Sequence, residues 1–217
     1  MPIFQLTDEI IFPSPELARK DGLLAIGGDL SEERLITAYS MGIFPWYTEG
    51  SPILWWAPDP RLVLFPEELK VSRSLKKVIN KGTFKVTMNT AFDEVVRSCS
   101  GMLRKGQEGT WITEDMIAAY TRLHKAGYAH SIESWYEGEL AGGLYGITLG
   151  KAFFGESMFS RRSNASKVAF VWLVERLKEQ GFRLIDCQVT TGHLLTLGAR
   201  EVPRKMFLEI LREALKD

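Results

Sequence analysis

The chain has 217 residues, 45% of them hydrophobic, with 27 Lys and Arg against 27 Asp and Glu. That is enough apolar material for one large or two small cores, and the balanced charge excludes a global field that would gather a polyanion. Two cysteines, Cys99 and Cys187, make no disulfide framework; the opening Met1–Gln5 has no basic or long apolar run, and no stretch approaches the roughly 18 apolar residues of a membrane span, so we expect a soluble cytoplasmic protein.

Residues 1–62 are rich in turn formers, among them Phe12-Pro13-Ser14-Pro15, Gly27-Gly28-Asp29, Phe44-Pro45-Trp46 and Ala57-Pro58-Asp59-Pro60. One helix is expected between them. Ser31 caps it, Glu32 and Glu33 occupy its first turn, and Leu35, Ile36, Ala38 and Tyr39 supply apolar contacts up to Gly42. Dense aromatics (Phe44, Trp46, Tyr47, Trp55, Trp56) in so turn-rich a segment predict a small N-terminal α+β domain, 1–62, packed on a larger one, 63–217.

The larger part predicts a mixed sheet with helices. A helix over 72–81 is capped by Ser72 and turns Leu75, Val78 and Ile79 inward. A strand over 84–88 and helices over 90–99 and 113–126 follow, the last capped by Thr113. Three antiparallel strands are expected over 129–136, 139–149 and 151–159, with turns at Glu137-Gly138 and Gly150-Lys151. Then come a helix over 164–180, capped by Asn164 and stopped by Gly181, a strand over 183–189, a helix over 191–197, an extended piece and a last helix over 203–215.

Three polar residues interrupt the apolar strands. On the strand 183–189, alternation sets Asp186 and Gln188 on one face and Ile185, Cys187 and Val189 on the other. Glu156 follows a glycine on the strand 151–159. A carboxylate and an amide on an apolar strand are costly unless they pair. They form either a satisfied structural pair or a group that moves a proton or grips a polar substrate.

The helix 164–180 is apolar on two sides. Phe170, Leu173, Val174 and Leu177 follow the i, i+3, i+4, i+7 pattern, with Val168, Val171 and Trp172 elsewhere. One side covers the sheet; the other is ordinary core or lines a cavity with Leu144, Met158 and Ile185. A flexible Met158 thioether suits a pocket that accepts more than one apolar shape.

No acid lies between Leu69 and Phe92, while Lys70, Arg73, Lys76, Lys77, Lys81 and Lys85 do. On the helix 72–81 this makes a local basic face, either a solvated surface or a set of phosphate contacts. Trp46 and Trp111 sit in loops marked by glycine or proline, where an indole plugs a seam or stacks on a base. His124, His130 and His193 lack metal-like spacing with any cysteine, and neither a Gly-x-Ser-x-Gly elbow nor a P-loop occurs.

Nine motifs occur in order: Gly27-Gly28-Asp29-Leu30, Gly42–Trp46, Ile53–Arg61, Glu108–Thr113, His130–Glu133, Phe154–Ser160, Asn164–Lys167, Leu184–Val189 and Leu197-Gly198-Ala199. Together they span nearly the whole chain, which resembles the bacterial leucyl/phenylalanyl-tRNA–protein transferases. The resemblance implies a C-terminal domain of acetyltransferase-like (GNAT) fold and no metal or coenzyme. Its implied partners are leucyl-tRNA, phenylalanyl-tRNA and acceptor proteins with an N-terminal Arg or Lys, which are tagged for N-degron degradation. It implies that Asp186 and Gln188 handle the proton, with Asp186 polarising Gln188. By the same resemblance, Glu156 matches the residue that would hold the aminoacyl amine, and Trp46 and Trp111 match the walls around the terminal adenosine. On this reading we expect Leu144, Met158, Phe170, Leu173, Leu177 and Ile185 to line the aminoacyl pocket, and Arg73, Lys76, Lys77 and Lys81 to meet tRNA phosphates. The pocket wall departs from the family pattern by Leu144 where Met occurs, Leu173 and Leu177 where aromatics occur and Phe170 where Leu occurs. The same substrate class is expected.

Two other classes remain open. An acyl-CoA-dependent acyltransferase would share the fold, but the Ser160–Lys167 segment lacks the glycines of a pyrophosphate loop. A non-catalytic RNA-binding module would account for the basic helix and the tryptophans but not for Glu156, Asp186 and Gln188.

Overall fold

A computed structural model describes residues 3–101 and 112–216. Four short strands, β1 (Phe4–Leu6), β2 (Leu23–Gly27), β3 (Phe44–Pro45) and β4 (Leu54–Trp56), form a small sheet in the order β1-β2-β4-β3. Between β2 and β3 runs α1 (Glu32–Ser40). The chain then enters a seven-stranded sheet at β5 (Arg61–Leu64).

The remaining elements follow as α2 (Arg73–Asn80), β6 (Lys85–Met88), α3 (Phe92–Ser100), α4 (Glu114–Lys125), β7 (Ala129–Tyr136), β8 (Glu139–Leu149) and β9 (Ala152–Ser160). They continue with α5 (Ala165–Glu179), β10 (Leu184–Gln188), α6 (Gly192–Thr196), β11 (Arg200–Val202) and α7 (Arg204–Ala214). The sheet order is β11-β5-β10-β9-β8-β7-β6, antiparallel throughout except for β9 and β10. That one parallel pair needs a crossover, and α5 supplies it. The expected α+β class with a mixed sheet is what the chain forms.

Local chemistry explains most of the helix starts. The side chains of Ser31, Ser72, Thr113 and Thr191 each accept a hydrogen bond from the backbone N–H three residues on. Asn164 departs from this. It sits at φ 70° and makes no capping bond; the Ser166 N–H instead donates to the Ser160 hydroxyl at 3.3 Å. The tight turn from β9 into α5 needs a left-handed residue, and asparagine tolerates that better than most.

Two apolar cores lie on opposite faces of the large sheet. One joins the small sheet, α1, α3, α4 and α7 through Leu35, Trp55, Val95, Tyr120, Phe154 and Phe207. The other joins α2, α5 and α6 through Leu75, Val168, Leu173, Val174, Ile185 and Leu197.

Candidate active site

The β9–β10 ladder is short. It pairs Leu184 with Ala152, Ile185 with Phe153 and Asp186 with Phe154, and no further. Each strand bulges at that point. Between β8 and β9 the register passes from Tyr145↔Ser157 to Gly146↔Gly155, so Glu156 has no residue opposite. Between β10 and β5 it passes from Asp186↔Val63 to Gln188↔Leu62, skipping Cys187. A bulge re-aims a side chain and ends a pairing. Glycine is required at position 146, opposite Gly155 and beside the bulge, because a Cβ there would lie 2.3 Å from the Phe154 carbonyl oxygen.

The two re-aimed side chains meet in the gap. Gln188, at φ 62°, donates from Nε2 to Glu156 Oε1 at 2.8 Å. The Tyr39 hydroxyl of α1 lies 2.8 Å from Oε1 and the Tyr120 hydroxyl of α4 lies 2.8 Å from Oε2. The two hydroxyls are 2.5 Å apart. Burial pushes the Glu156 carboxyl up to about 7, against the opposing hydrogen bonds from Tyr39, Tyr120 and Gln188. Burial and the neighbouring Glu156 also push both phenols up.

Asp186 does not stand beside the Gln188 amide, as strict alternation predicts; the bulge puts the two residues out of phase. Its carboxylate is fully buried. Arg61 donates to it twice, from Nε to Oδ1 at 2.8 Å and from Nη2 to Oδ2 at 2.6 Å. The Gln188 backbone N–H donates to Oδ1 at 2.9 Å. Arg61 is itself clasped between the rings of Phe44 and Phe207, each 4.7 Å from its guanidinium carbon. Asp186 therefore fixes the backbone of Gln188 and leaves the side chain to Glu156.

A cavity of about 430 Å³ opens at the parted strands. Gln188 and Glu156 line it, together with Leu144, Met158, Phe170 and Ile185 of the expected pocket and with Trp46. Tyr145, Phe153, His193 and Leu194 complete much of the wall. Leu173 and Leu177 do not reach it and are buried in the core on the α2–α5 face. The helix rises about 1.5 Å per residue, so these leucines lie about one and two turns beyond Phe170, where the cavity has closed. Trp46 is half-buried, tilted against Trp56 at 5.9 Å between centroids. Trp111 falls outside the described residues.

The basic face forms as expected. Arg73, Lys76, Lys77 and Lys81 are all exposed while Leu75 anchors α2 to the core, and none of the four has an ion-pair partner among the described residues. Among those residues no three of His, Cys, Asp and Glu gather into a metal-binding group, and no helix is long and apolar enough to cross a membrane.

From the sequence Tyr39 is an apolar contact of α1, and nothing there ties Tyr120 or Arg61 to the site. Each lies far along the chain from its partner, and nothing local marks a tyrosine as a carboxyl ligand. A fully buried arginine demands hydrogen-bond acceptors, but burial of Arg61 is itself a tertiary fact.

The cavity is apolar along its walls and ends on an amide and a carboxyl held in fixed orientation, a lining that suits a ligand with an apolar body and a polar end. Comparison with known proteins gives the family. Residues 63–212 match the leucyl/phenylalanyl-tRNA protein transferase family, and residues 28–59 match the N-terminal domain of the same transferases. The leucyl/phenylalanyl-tRNA–protein transferase of Syntrophobacter fumaroxidans is 60% identical over 217 residues, all of this chain and 93% of that one. That of Anaeromyxobacter sp. (strain Fw109-5) is 61% identical over 215 residues, 99% of this chain and 92% of that one. A GCN5-related N-acetyltransferase structure from Kribbella flavida aligns at 11% identity with a TM-score of 0.41, covering 78% of this chain and 59% of that one, which is too loose to carry any argument. The chain belongs to the leucyl/phenylalanyl-tRNA–protein transferase family, and it is an aminoacyltransferase.

Proposed function

We propose that this enzyme moves leucine or phenylalanine from aminoacyl-tRNA to the N-terminal Arg or Lys of acceptor proteins in the cytoplasm, forming a peptide bond that marks the acceptor for degradation. The observation that carries the reading is the Gln188 amide at the end of the apolar cavity. Its nitrogen is committed to Glu156, so its oxygen is left as the acceptor.

The chemistry asks little of the protein beyond placement. The ester of an aminoacyl-tRNA is already activated. The acceptor amine attacks the ester carbon, the tetrahedral intermediate forms, the bond to the ribose oxygen breaks, and that oxygen takes up the proton the amine gives up. The apolar side chain enters between Leu144, Met158, Phe170 and Ile185, which excludes water from the ester. Glu156 receives the amine of the aminoacyl group. The Gln188 oxygen accepts an N–H of the attacking amine and aims its lone pair, so the gain is one of orientation. An amide is too weak a base to keep the proton, and the ribose oxygen is its destination. Asp186 acts through Gln188 by holding its backbone. Trp46 offers a face for the terminal adenine, which contributes about 1–3 kcal/mol where a base stacks. The cations of α2 meet tRNA phosphates.

The division into a small unit over 1–62 and a larger one over 63–217 is supported by the two family matches, which stop at residue 59 and resume at residue 63. The small unit brings Tyr39, Phe44 and Trp46 to the site.

The test is transfer of label from leucyl-tRNA and phenylalanyl-tRNA to peptides that begin with Arg, Lys or Asp, with labelled acyl-CoA in a parallel reaction. Label is expected on the Arg and Lys peptides from aminoacyl-tRNA alone. Label from acyl-CoA, or equal label on the Asp peptide, would overturn the reading.

A further inference from the structure

We propose that in the empty site Glu156 is a neutral carboxylic acid whose proton sits on Oε2, and that Tyr120 and Tyr39 close a ring of three O–H donors around it, acting as positioning residues. The argument is a count of protons. Three close oxygen–oxygen contacts join the carboxyl to the two phenols: Tyr39 to Oε1 at 2.8 Å, Tyr120 to Oε2 at 2.8 Å, and phenol to phenol at 2.5 Å. Two phenols bring two protons. With an ionised carboxylate both would point at its oxygens, and the phenol–phenol contact would set lone pair against lone pair. A protonated carboxyl supplies the third donor.

The fourth contact chooses the direction. Gln188 donates to Oε1, so Oε1 is the carbonyl oxygen and Oε2 carries the hydrogen. The ring then reads Oε2–H to Tyr120, Tyr120 O–H to Tyr39, and Tyr39 O–H to Oε1. Every donor is used once.

Among the described residues facing it, hydrogen-bond donors favour the charge but no cation is free to balance it. α1 and α4 present Tyr39 and Tyr120. β8 presents Tyr145, whose ring packs edge-on against Tyr120. β9 itself offers Ser157. β10 presents Gln188, Cys187 and the anion of Asp186, and β5 presents Arg61, which is committed to Asp186. Burial, opposed by the phenol and amide hydrogen bonds, holds the carboxyl up to about 7, and burial with the adjacent Asp186 also pushes the Cys187 thiol up.

The consequence for the reaction rests on the proposed function. An aminoacyl amine entering as the free base takes the Oε2 proton and becomes an ammonium beside a new carboxylate. The ring opens at the same moment and each phenol turns its hydrogen onto that carboxylate. The charge is thus created only when the substrate is there to balance it.

Infrared spectroscopy of the free enzyme tests the proposal without any turnover. Between about pH 5 and about pH 9, a range that brackets the carboxyl's titration, the wild type should show a protonated-carboxyl C=O band that fades around neutrality and is missing in Glu156→Gln. In Tyr39→Phe and Tyr120→Phe the band should move to higher frequency and fade at a higher pH, because the carboxylate has lost a donor while its burial is unchanged. Absence of the band in wild type at about pH 6 would overturn the proposal. So would a band unmoved in both Phe variants, each checked for native circular dichroism. If transfer fails in every assay but the band behaves as described, the reaction has been misread and the ring stands.

Discussion

Replacing Glu156 by Gln should change how stability depends on pH, and the structure sets sign and size. Burial pushes the Glu156 carboxyl up to about 7 in the folded protein, against its ordinary 4.5. The folded state therefore binds this proton more tightly than the unfolded chain does. The group's contribution is fully present below about pH 4.5 and is lost as pH rises through about 7. A gap of roughly 2.5, at about 1.4 kcal/mol per pH unit, comes to about 3 kcal/mol. An amide keeps the shape and has the donor–acceptor pattern of the neutral acid, but it never ionises, so Glu156→Gln should not lose this amount. Urea unfolding of both proteins at about pH 5 and pH 8 measures most of it: relative to the variant, wild type should lose about 2–3 kcal/mol, a midpoint shift of roughly 1 M or more for a typical m-value. The half-buried His130 and His193, both pushed down by burial, contribute the opposite trend, but they are present in both proteins and cancel in the difference. Parallel pH dependences would refute the reasoning and mean that Glu156 is ionised throughout.

Asp186→Asn should unfold the protein more readily as well as slow it, because it strands a buried Arg61 at a cost of about 3–5 kcal/mol; thermal unfolding should show the loss, and Asp186→Leu with Arg61→Met should restore much of the stability but not turnover. Gln188→Ala should instead leave the melting temperature nearly intact and lower transfer by about 10²–10⁴ at saturating acceptor. Leu173→Asp should abolish the native circular dichroism, since Leu173 is core, whereas Phe170→Ala should fold and alter the relative kcat/KM for leucyl- and phenylalanyl-tRNA. Neutralising Arg73 and Lys77 together should weaken binding of many tRNAs alike and reduce the slope of log Kd against log salt by about two; an unaltered slope would move the tRNA surface elsewhere.

The sequence by itself determined what depends on near neighbours. Ser31, Ser72 and Thr113 start helices because a cap bonds three residues away, and hydrophobic periodicity gave the strands and helices of the large sheet. Glu156 and Gln188 were legible because polar groups on apolar strands must find partners. Only the tertiary structure decided who those partners are. Tyr39 lies 117 residues from Glu156 and Arg61 lies 125 from Asp186, and no local rule couples such distances. The two bulges were equally hidden: a strand read by alternation keeps Asp186 and Gln188 side by side, and one skipped residue at Cys187 separates them. Leu173 and Leu177 share the apolar stripe of Phe170, yet only Phe170 reaches the cavity. Periodicity tells which face of a helix is buried; where along that face the packing opens is set by the parting of β9 from β10.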